Sequence, residues 1–177
     1  ADQIIVNPEM AAVEVRDSPD LLDPSFTGKV AIIDNPLTVW PQLAKLAGYG
    51  DKFPLMTREE LADCFAKNRP YREQMKVFAT SNGDVISLLA NREISAVFSA
   101  WAGIPLETAK QNVTTKTILP PDGGTFWVDA WFVPQTAENI DTALSFINFA
   151  TSAEAQAAGC NRLGNSPVNS KAVPMLD

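Results

Sequence analysis

The sequence contains no histidine. This absence removes the usual general base, the most common metal ligand and the partner of a serine or cysteine nucleophile. Only two cysteines are present, Cys64 and Cys160, so a zinc site built from histidine or cysteine clusters is also excluded. The two cysteines can form one disulfide or remain as two buried thiols. We therefore expect no metal, no other cofactor and no enzymatic activity.

Long apolar runs and runs of basic residues are missing as well. No stretch of about 18 apolar residues occurs, so we expect no membrane span. The net charge is -7 and no run of Lys or Arg is present, so nucleic acid and anionic membrane surfaces are poor candidates for partners. The first residues, ADQIIVNPEM, are typical of either a processed N-terminus or the interior of a longer protein.

Strands and helices are expected to alternate along the 177 residues. Apolar runs predict strands, and capping signals followed by apolar periodicity predict helices. This order indicates an α/β fold with a mixed or parallel sheet between helices. The expected strands cover 4–6, 29–34, 75–80, 93–101 and 115–119. The expected helices cover 36 to about 48, 57 to about 67, 81–93, 105–111, 137–150 and 152–158.

Polar and aromatic residues follow three of the predicted strands. Asn35 comes after the strand at 29–34, Ser81 after the strand at 75–80, and Trp101 ends the strand at 93–101. In such sheets, ligands bind outside the carboxyl ends of the strands, where helix N-termini offer unpaired N–H groups. Ser81 and Asn35 can equally be simple helix N-caps, and a cap at this edge can also contact a ligand.

The stretch GGTFWVDAW, residues 123–131, is unusual because it places a carboxylate between two indoles. If it is a strand, one face carries Trp127, Asp129 and Trp131, and the opposite face, Phe126 to Phe132, is core. An aromatic face with a carboxylate beside it is typical of an amine site. The alternative is a rim strand with large outer residues. Only one indole needs to face a ligand, and Trp131 is the better candidate for packing.

Three segments together resemble the periplasmic solute-binding proteins of ABC transporters, of the spermidine/putrescine-binding type. They are DLLDPSFTGKVAIIDNP at 20–36, SNGDVISLLANREISAV at 81–97 and LPPDGGTFWVDAWFVP at 119–134. A following helix containing FINFATSAEAQA is also similar to the family. The resemblance covers about residues 20–169.

The resemblance implies a periplasmic receptor with two lobes that close on the ligand. Residues 1–125 would be the second lobe, of the type II binding-protein fold, and 126–177 would be the hinge strand and the return helices that contact the first lobe. Family members are about twice as long, so the resemblance implies that these 177 residues do not include the first lobe. We therefore expect exposed apolar surface that the missing lobe, a dimer or another partner chain covers. A membrane permease is the expected transport partner.

Ligand residues follow from the same resemblance. Trp127 and Asp129 match residues that stack on and hold an amine, and Ser81 matches a polar contact. Trp101 matches an aromatic contact, although the strand before it is one residue longer than in the family. Polyamine binders carry acids where this sequence has Asn35 and Thr38. The resemblance therefore implies a ligand with one cationic end, a monoamine or an amino-acid-like zwitterion, in preference to spermidine. The alternative function is an isolated lobe that acts as a structural or interaction subunit of a larger assembly.

Overall fold

Five short strands form one mixed sheet in the computed structural model, which describes residues 2–177. The order across the sheet is β3-β2-β4-β1-β5. β2 is parallel to β3 and β4, whereas β1 is antiparallel to β4 and β5. The mixed sheet expected from the sequence is therefore confirmed. The strands are β1 Asp2–Val6, β2 Val30–Ile33, β3 Met75–Ala79, β4 Ala96–Trp101 and β5 Lys116–Ile118.

Six α-helices and four short 3₁₀ helices complete the secondary structure of the described residues. The α-helices are α1 Pro36–Leu46, α2 Arg58–Gln74, α3 Asn82–Ala90, α4 Ile104–Ala109, α5 Ile140–Ala150 and α6 Ala153–Leu163. The 3₁₀ helices are Ser18–Leu22, Pro24–Phe26, Gly50–Lys52 and Ser170–Met175. Every predicted helix has an observed counterpart, with ends that differ by a few residues.

The largest difference in helix length is at α2, which continues past Lys67 and Pro70 to Gln74. A proline inside a helix removes one backbone hydrogen bond, which favours an earlier end. Tertiary packing outweighs this cost here. Tyr71 lies in the last turns, is 8% exposed and contacts the ring of Phe98 edge-on, with centroids 5.4 Å apart. Burial of this aromatic pair holds the helix beyond Pro70.

Alternate residues of the central strands enter two apolar layers, one on each face of the sheet. In β2, Val30 and Ile32 belong to one layer and Ala31 to the other. Helices α1 and α2 cover the first layer, and α3 and α4 cover the second, which confirms the expectation of helices on both faces. The buried side chains that these helices contribute to the two layers are Val39 in α1, Tyr71 in α2, Val85 and Leu89 in α3, and Ile104 in α4.

Two compact units divide the chain, the first ending at Phe126 and the second spanning Trp127–Asp177. The first unit contains the whole sheet and α1–α4. The second contains α5, α6 and the last 3₁₀ helix. Within the second unit, Oε1 of Gln156 accepts hydrogen bonds from the backbone N–H groups of Val168 and Asn169, at 3.0 and 2.9 Å. These bonds tie the C-terminal loop to α6.

The strand expected over 123–131 is not present: no regular secondary structure is assigned to 124–134. The proposed core face is wrong for the described residues too, because Phe126, Val128 and Phe132 are 75%, 65% and 81% exposed. A strand forms only where a neighbouring strand accepts its hydrogen bonds. Among the described residues, β1 makes one backbone hydrogen bond to the start of this segment, from Asp2 to Thr125, and no strand pairs with the rest of it, so its alternating pattern lacks a partner.

Candidate functional site

One edge of the sheet gathers most of the predicted site residues of the first unit. β2, β3 and β4 are parallel, so Ile33, Ala79 and Trp101 end at the same edge. β1 runs the opposite way, so it begins at that edge, with Asp2 opposite Trp101. Helices α1, α3 and α4 start just beyond the strand ends. This carboxyl edge is the usual position of ligand sites in α/β sheets.

Asn35 and Thr38 lie at the start of α1. Oδ1 of Asn35 accepts a hydrogen bond of 3.0 Å from the backbone N–H of Leu37, so Asn35 is the helix N-cap and Pro36 is the first helical residue. The Thr38 hydroxyl donates to the Asn35 carbonyl at 3.3 Å. Both side chains bring neutral polar groups to the edge of the sheet.

Ser81 is the N-cap of α3, as expected. Its hydroxyl accepts the backbone N–H of Asp84 at 3.1 Å, and the Asp84 carboxylate accepts the backbone N–H of Ser81 at 3.0 Å. The same carboxylate also accepts from the Thr80 hydroxyl at 2.8 Å. The bonds from Thr80, and then those from Ser81, hold the pKa of Asp84 below its usual value. This capping box fixes the turn between β3 and α3.

Replacement of Ser81 by alanine should destabilise the fold by about 1 kcal/mol, because one orphan N–H at the start of α3 loses its acceptor. Ser81→Gly should cost only a few tenths of that amount, since glycine tolerates the cap position. Urea denaturation followed by circular dichroism measures both. An alanine variant as stable as the native protein would show that the cap is dispensable and that Ser81 has another role.

Trp101 ends β4 and is half-buried, with its indole lying against Gly103. A Cβ added at Gly103 would lie 2.2 Å from the indole ring, so a side chain there would displace the ring. Gly103 therefore allows the close approach that sets the ring position. The aromatic contact predicted at Trp101 lies at the same edge as Asn35, Thr38 and Ser81.

Asp2 also lies at this edge, and the sequence analysis missed it. Its side chain is buried, with 5% exposure, and its neighbour across the sheet is Trp101. Burial raises the pKa of Asp2 above its usual value, and the nearby Thr38 side chain partly offsets this rise. The available signal was an acid that only Gln3 separates from the apolar run at 4–6, since aspartate is depleted in strands.

The start of the GGTFWVDAW segment is attached to the same edge. The backbone N–H of Asp2 donates to the Thr125 carbonyl at 2.7 Å, and the Thr125 hydroxyl donates to the Thr38 carbonyl at 3.1 Å. A Cβ on Gly124 would lie 2.3 Å from the Asp2 carbonyl oxygen. Glycine is thus required at 124 for the close approach that lets Thr125 bridge β1 and α1.

Trp127 and Asp129 belong to the second unit and are both exposed there. Trp131 packs edge-on against Phe146 of α5, with ring centroids 5.2 Å apart. This contact supports the expectation that Trp131 is the packing indole of the pair. The indole of Trp127 and the carboxylate of Asp129 remain available for a ligand.

Three further features of the described residues concern the cysteines, possible metal ligands and helix length. Cys64 and Cys160 are free thiols. No group of three or more acidic or cysteine side chains among residues 2–177 is arranged to hold a metal ion. None of the helices in this part of the chain is both long and apolar enough to cross a membrane.

Comparison with known proteins identifies the family. The family model described as bacterial extracellular solute-binding protein matches residues 3–176. The putrescine-binding periplasmic protein SpuD of Pseudomonas aeruginosa (strain UCBPP-PA14) is 30% identical over 156 residues, with 83% of this chain and 40% of the relative covered. These matches confirm the expected family, its periplasmic location and its lack of enzymatic activity.

Solved structures show the same fold. The spermidine/putrescine substrate-binding protein PotD from Streptococcus pneumoniae strain Canada MDR_19A matches with a TM-score of 0.85 at 18% identity, covering 99% of this chain and 53% of that protein. The Atu4243-GABA receptor matches with a TM-score of 0.73 at 23% identity, covering 99% and 53%. The chain spans about half the length of the proteins it matches. With 174 of its 177 residues (3–176) matched by the family model, this chain belongs to the bacterial extracellular solute-binding proteins.

Proposed function

We propose that this chain supplies one lobe of the solute receptor of an ABC importer and that it contacts a small cationic amine without converting it. Delivery of the amine to a membrane permease completes the proposed role. The second lobe of the receptor corresponds to residues 1–125, and 126–177 correspond to the hinge and return segments. The domain division and the permease come from the resemblance to the family.

The observation that carries the proposal is the composition of the carboxyl edge of the sheet. Within one unit, this edge brings together the Trp101 indole, the Asn35 and Thr38 side chains and the turn at Ser81. Thr125 attaches the start of the GGTFWVDAW segment to the same edge through its hydroxyl. An aromatic ring with a few polar groups around it is typical of small-molecule sites.

Trp127 and Asp129 are proposed as ligand contacts because of their motif and their chemistry. An indole face attracts an ammonium by about 0.5–2 kcal/mol, depending on how far the pair is removed from water. A carboxylate next to it accepts a charge-assisted hydrogen bond from the same group. Both side chains are accessible in the second unit, which such contacts require.

The second unit has an uncovered apolar surface, which we propose is covered in the complete receptor. α5 has no buried residue although seven of its 11 positions are apolar, and Phe149 near its end is 69% exposed. Monomeric proteins rarely expose such patches without a partner. Since the matched relatives are about twice as long as this chain, chain outside these 177 residues is the proposed cover.

Calorimetry on the native protein that contains this sequence tests the proposed function. The ligands are putrescine, spermidine, butylamine and γ-aminobutyrate, with butanol as the uncharged control. We expect at least one amine to bind and butanol not to bind. The 177-residue chain alone should bind the same amine at least roughly tenfold more weakly, because a closed site buries most of a small ligand and one lobe supplies only part of the wall.

Two results would contradict the proposal. The first is a native protein that binds none of the four amines. The second is a native protein whose intact mass equals that of these 177 residues, which would favour the alternative of a lobe acting as a structural or interaction subunit. Equal binding of butanol and butylamine would show that the site does not recognise the ammonium.

A further inference from the structure

We propose that the Asp2 carboxylate binds an ammonium group of the ligand and thereby helps to select it. This inference rests on the proposed function, because it needs an amine at the carboxyl edge of the sheet. It assigns the charge at this edge to strand β1, whereas the side chains of α1 that face the edge, Asn35 and Thr38, are neutral.

The first argument is the burial of the acid without a basic side chain beside it. Asp2 is 5% exposed. Among residues 2–177, no Lys or Arg forms an ion pair with Asp2. A buried carboxylate is costly unless a cation or several hydrogen bonds compensate for its lost hydration. A ligand ammonium would supply that compensation. The native fold therefore holds Asp2 in a position where a bound cation offsets the cost of burying the carboxylate.

The second argument is the set of groups around Asp2. Trp101 is paired with Asp2 across the sheet, and the Thr38 side chain is close enough to lower the pKa of the Asp2 carboxyl. A carboxylate near an indole offers both the charge and the aromatic face that ammonium groups prefer. The backbone of Asp2 is held by Thr125 at 2.7 Å, so the acid is attached to the strand and to the segment that leads to Trp127.

The rigidity of this arrangement is the third argument. Gly124 approaches the Asp2 carbonyl so closely that an added Cβ would lie 2.3 Å away. The Thr125 hydroxyl in turn donates to the carbonyl of Thr38, the residue whose side chain lowers the pKa of Asp2. β1, α1 and the GGTFWVDAW segment therefore meet around one carboxylate. A binding group held by three segments loses little freedom when a ligand arrives.

The proposed role changes the expected ligand. Asn35 and Thr38 alone suggested a ligand with one cationic end. Asp2 supplies a carboxylate that those two positions lack, and an additional carboxylate favours a ligand with a second ammonium group over a monoamine or a zwitterion. We therefore expect putrescine to bind more tightly than butylamine or γ-aminobutyrate.

Asp2→Asn in the native protein tests the inference, with Asp122→Asn as the matched control at an exposed acid of the same unit. The amide keeps the size and removes the charge. We expect putrescine affinity to fall roughly tenfold or more, since a hydrogen bond to a charged group is lost. Butylamine affinity should change less than about threefold, because its single ammonium can bind elsewhere, and the control should leave both affinities unchanged.

The outcomes separate this inference from the proposed function. If the native protein binds no amine, both fail. If it binds putrescine and Asp2→Asn binds it equally well, the role of Asp2 is refuted and the proposed function stands. Thermal unfolding of the variant without ligand shows whether a loss of affinity comes from a loss of fold stability. A midpoint lowered by more than about 5 °C, together with equal losses for putrescine and butylamine, would assign Asp2 to the fold and overturn the inference.

Discussion

Replacement of Phe98 by alanine is expected to destabilise the first unit by about 3–5 kcal/mol, which is the usual cost of removing a buried aromatic ring. Phe98 lies in β4 and is 1% exposed. Its ring contacts Tyr71 edge-on, with centroids 5.4 Å apart, so the substitution removes this pair and leaves a cavity beneath α2. A marginally stable domain loses a large part of its stability in this way.

The measurement is urea denaturation of the native protein followed by circular dichroism. Phe78→Ala is the matched control, because Phe78 lies in β3 of the same sheet but is 50% exposed. We expect the control to cost about 1 kcal/mol or less, since its ring is only partly removed from water. Equal losses for the two variants would show that the layer between the sheet and α2 is not the part of the core that limits stability.

The consequence for the site follows from the position of β4. This strand pairs with β2 on one side and β1 on the other, and it ends at Trp101. Loss of the Phe98 ring should loosen the register that places Trp101 opposite Asp2. A surviving Phe98→Ala protein should therefore bind amines more weakly than its folded fraction alone would predict.

Local patterns in the sequence were enough to predict the elements of the first unit. The apolar run around Val30 gave a strand, and the capping boxes at Thr57 and Ser81 gave the starts of α2 and α3. These signals are local because an N-cap depends on residues only three positions apart. The end of α2 was missed because it depends on Tyr71 packing against Phe98, 27 positions away in the chain, which no local pattern records.

The position of Asp2 could not be predicted for a similar reason. Asp2 lies beside Trp101 because β1 is antiparallel to β4, so that the first residue of β1 is opposite the last residue of β4. Strand order is set by long-range pairing, whereas apolar runs predict only that a strand exists. The sequence analysis predicted the candidate residues that follow the parallel strands. It missed Asp2, the acid at the start of the antiparallel strand β1.

The alternation in GGTFWVDAW was read as a strand, and the described residues do not form one there. The pattern itself is typical of a strand, since Phe126, Val128, Ala130 and Phe132 place apolar residues at every second position. What is missing is a pairing partner, and Phe132 is left 81% exposed as a result. A segment that has the pattern of a strand but lacks a neighbour is consistent with the proposal that chain outside these 177 residues covers it.

Replacement of Asp129 by alanine in the native protein should weaken binding of the preferred amine by about 2 kcal/mol, or roughly 30-fold. The reason is that a charge-assisted hydrogen bond to a ligand ammonium is worth about 1.5–3 kcal/mol. The Asp129 side chain is exposed in the second unit, so its removal should leave the stability of the free protein nearly unchanged. A binding loss without a stability loss is the expected signature of a ligand contact.

Calorimetry with putrescine and thermal unfolding without ligand measure the two effects of Asp129→Ala separately. Asp141→Asn is the control, because Asp141 is another exposed acid of the second unit, in the first turn of α5. Asp129→Asn should lose most of the same affinity, since it keeps the shape and removes only the charge that the ammonium requires. Unchanged affinity in both Asp129 variants would remove this residue from the site and leave the Trp127 indole as the remaining ligand candidate of the motif.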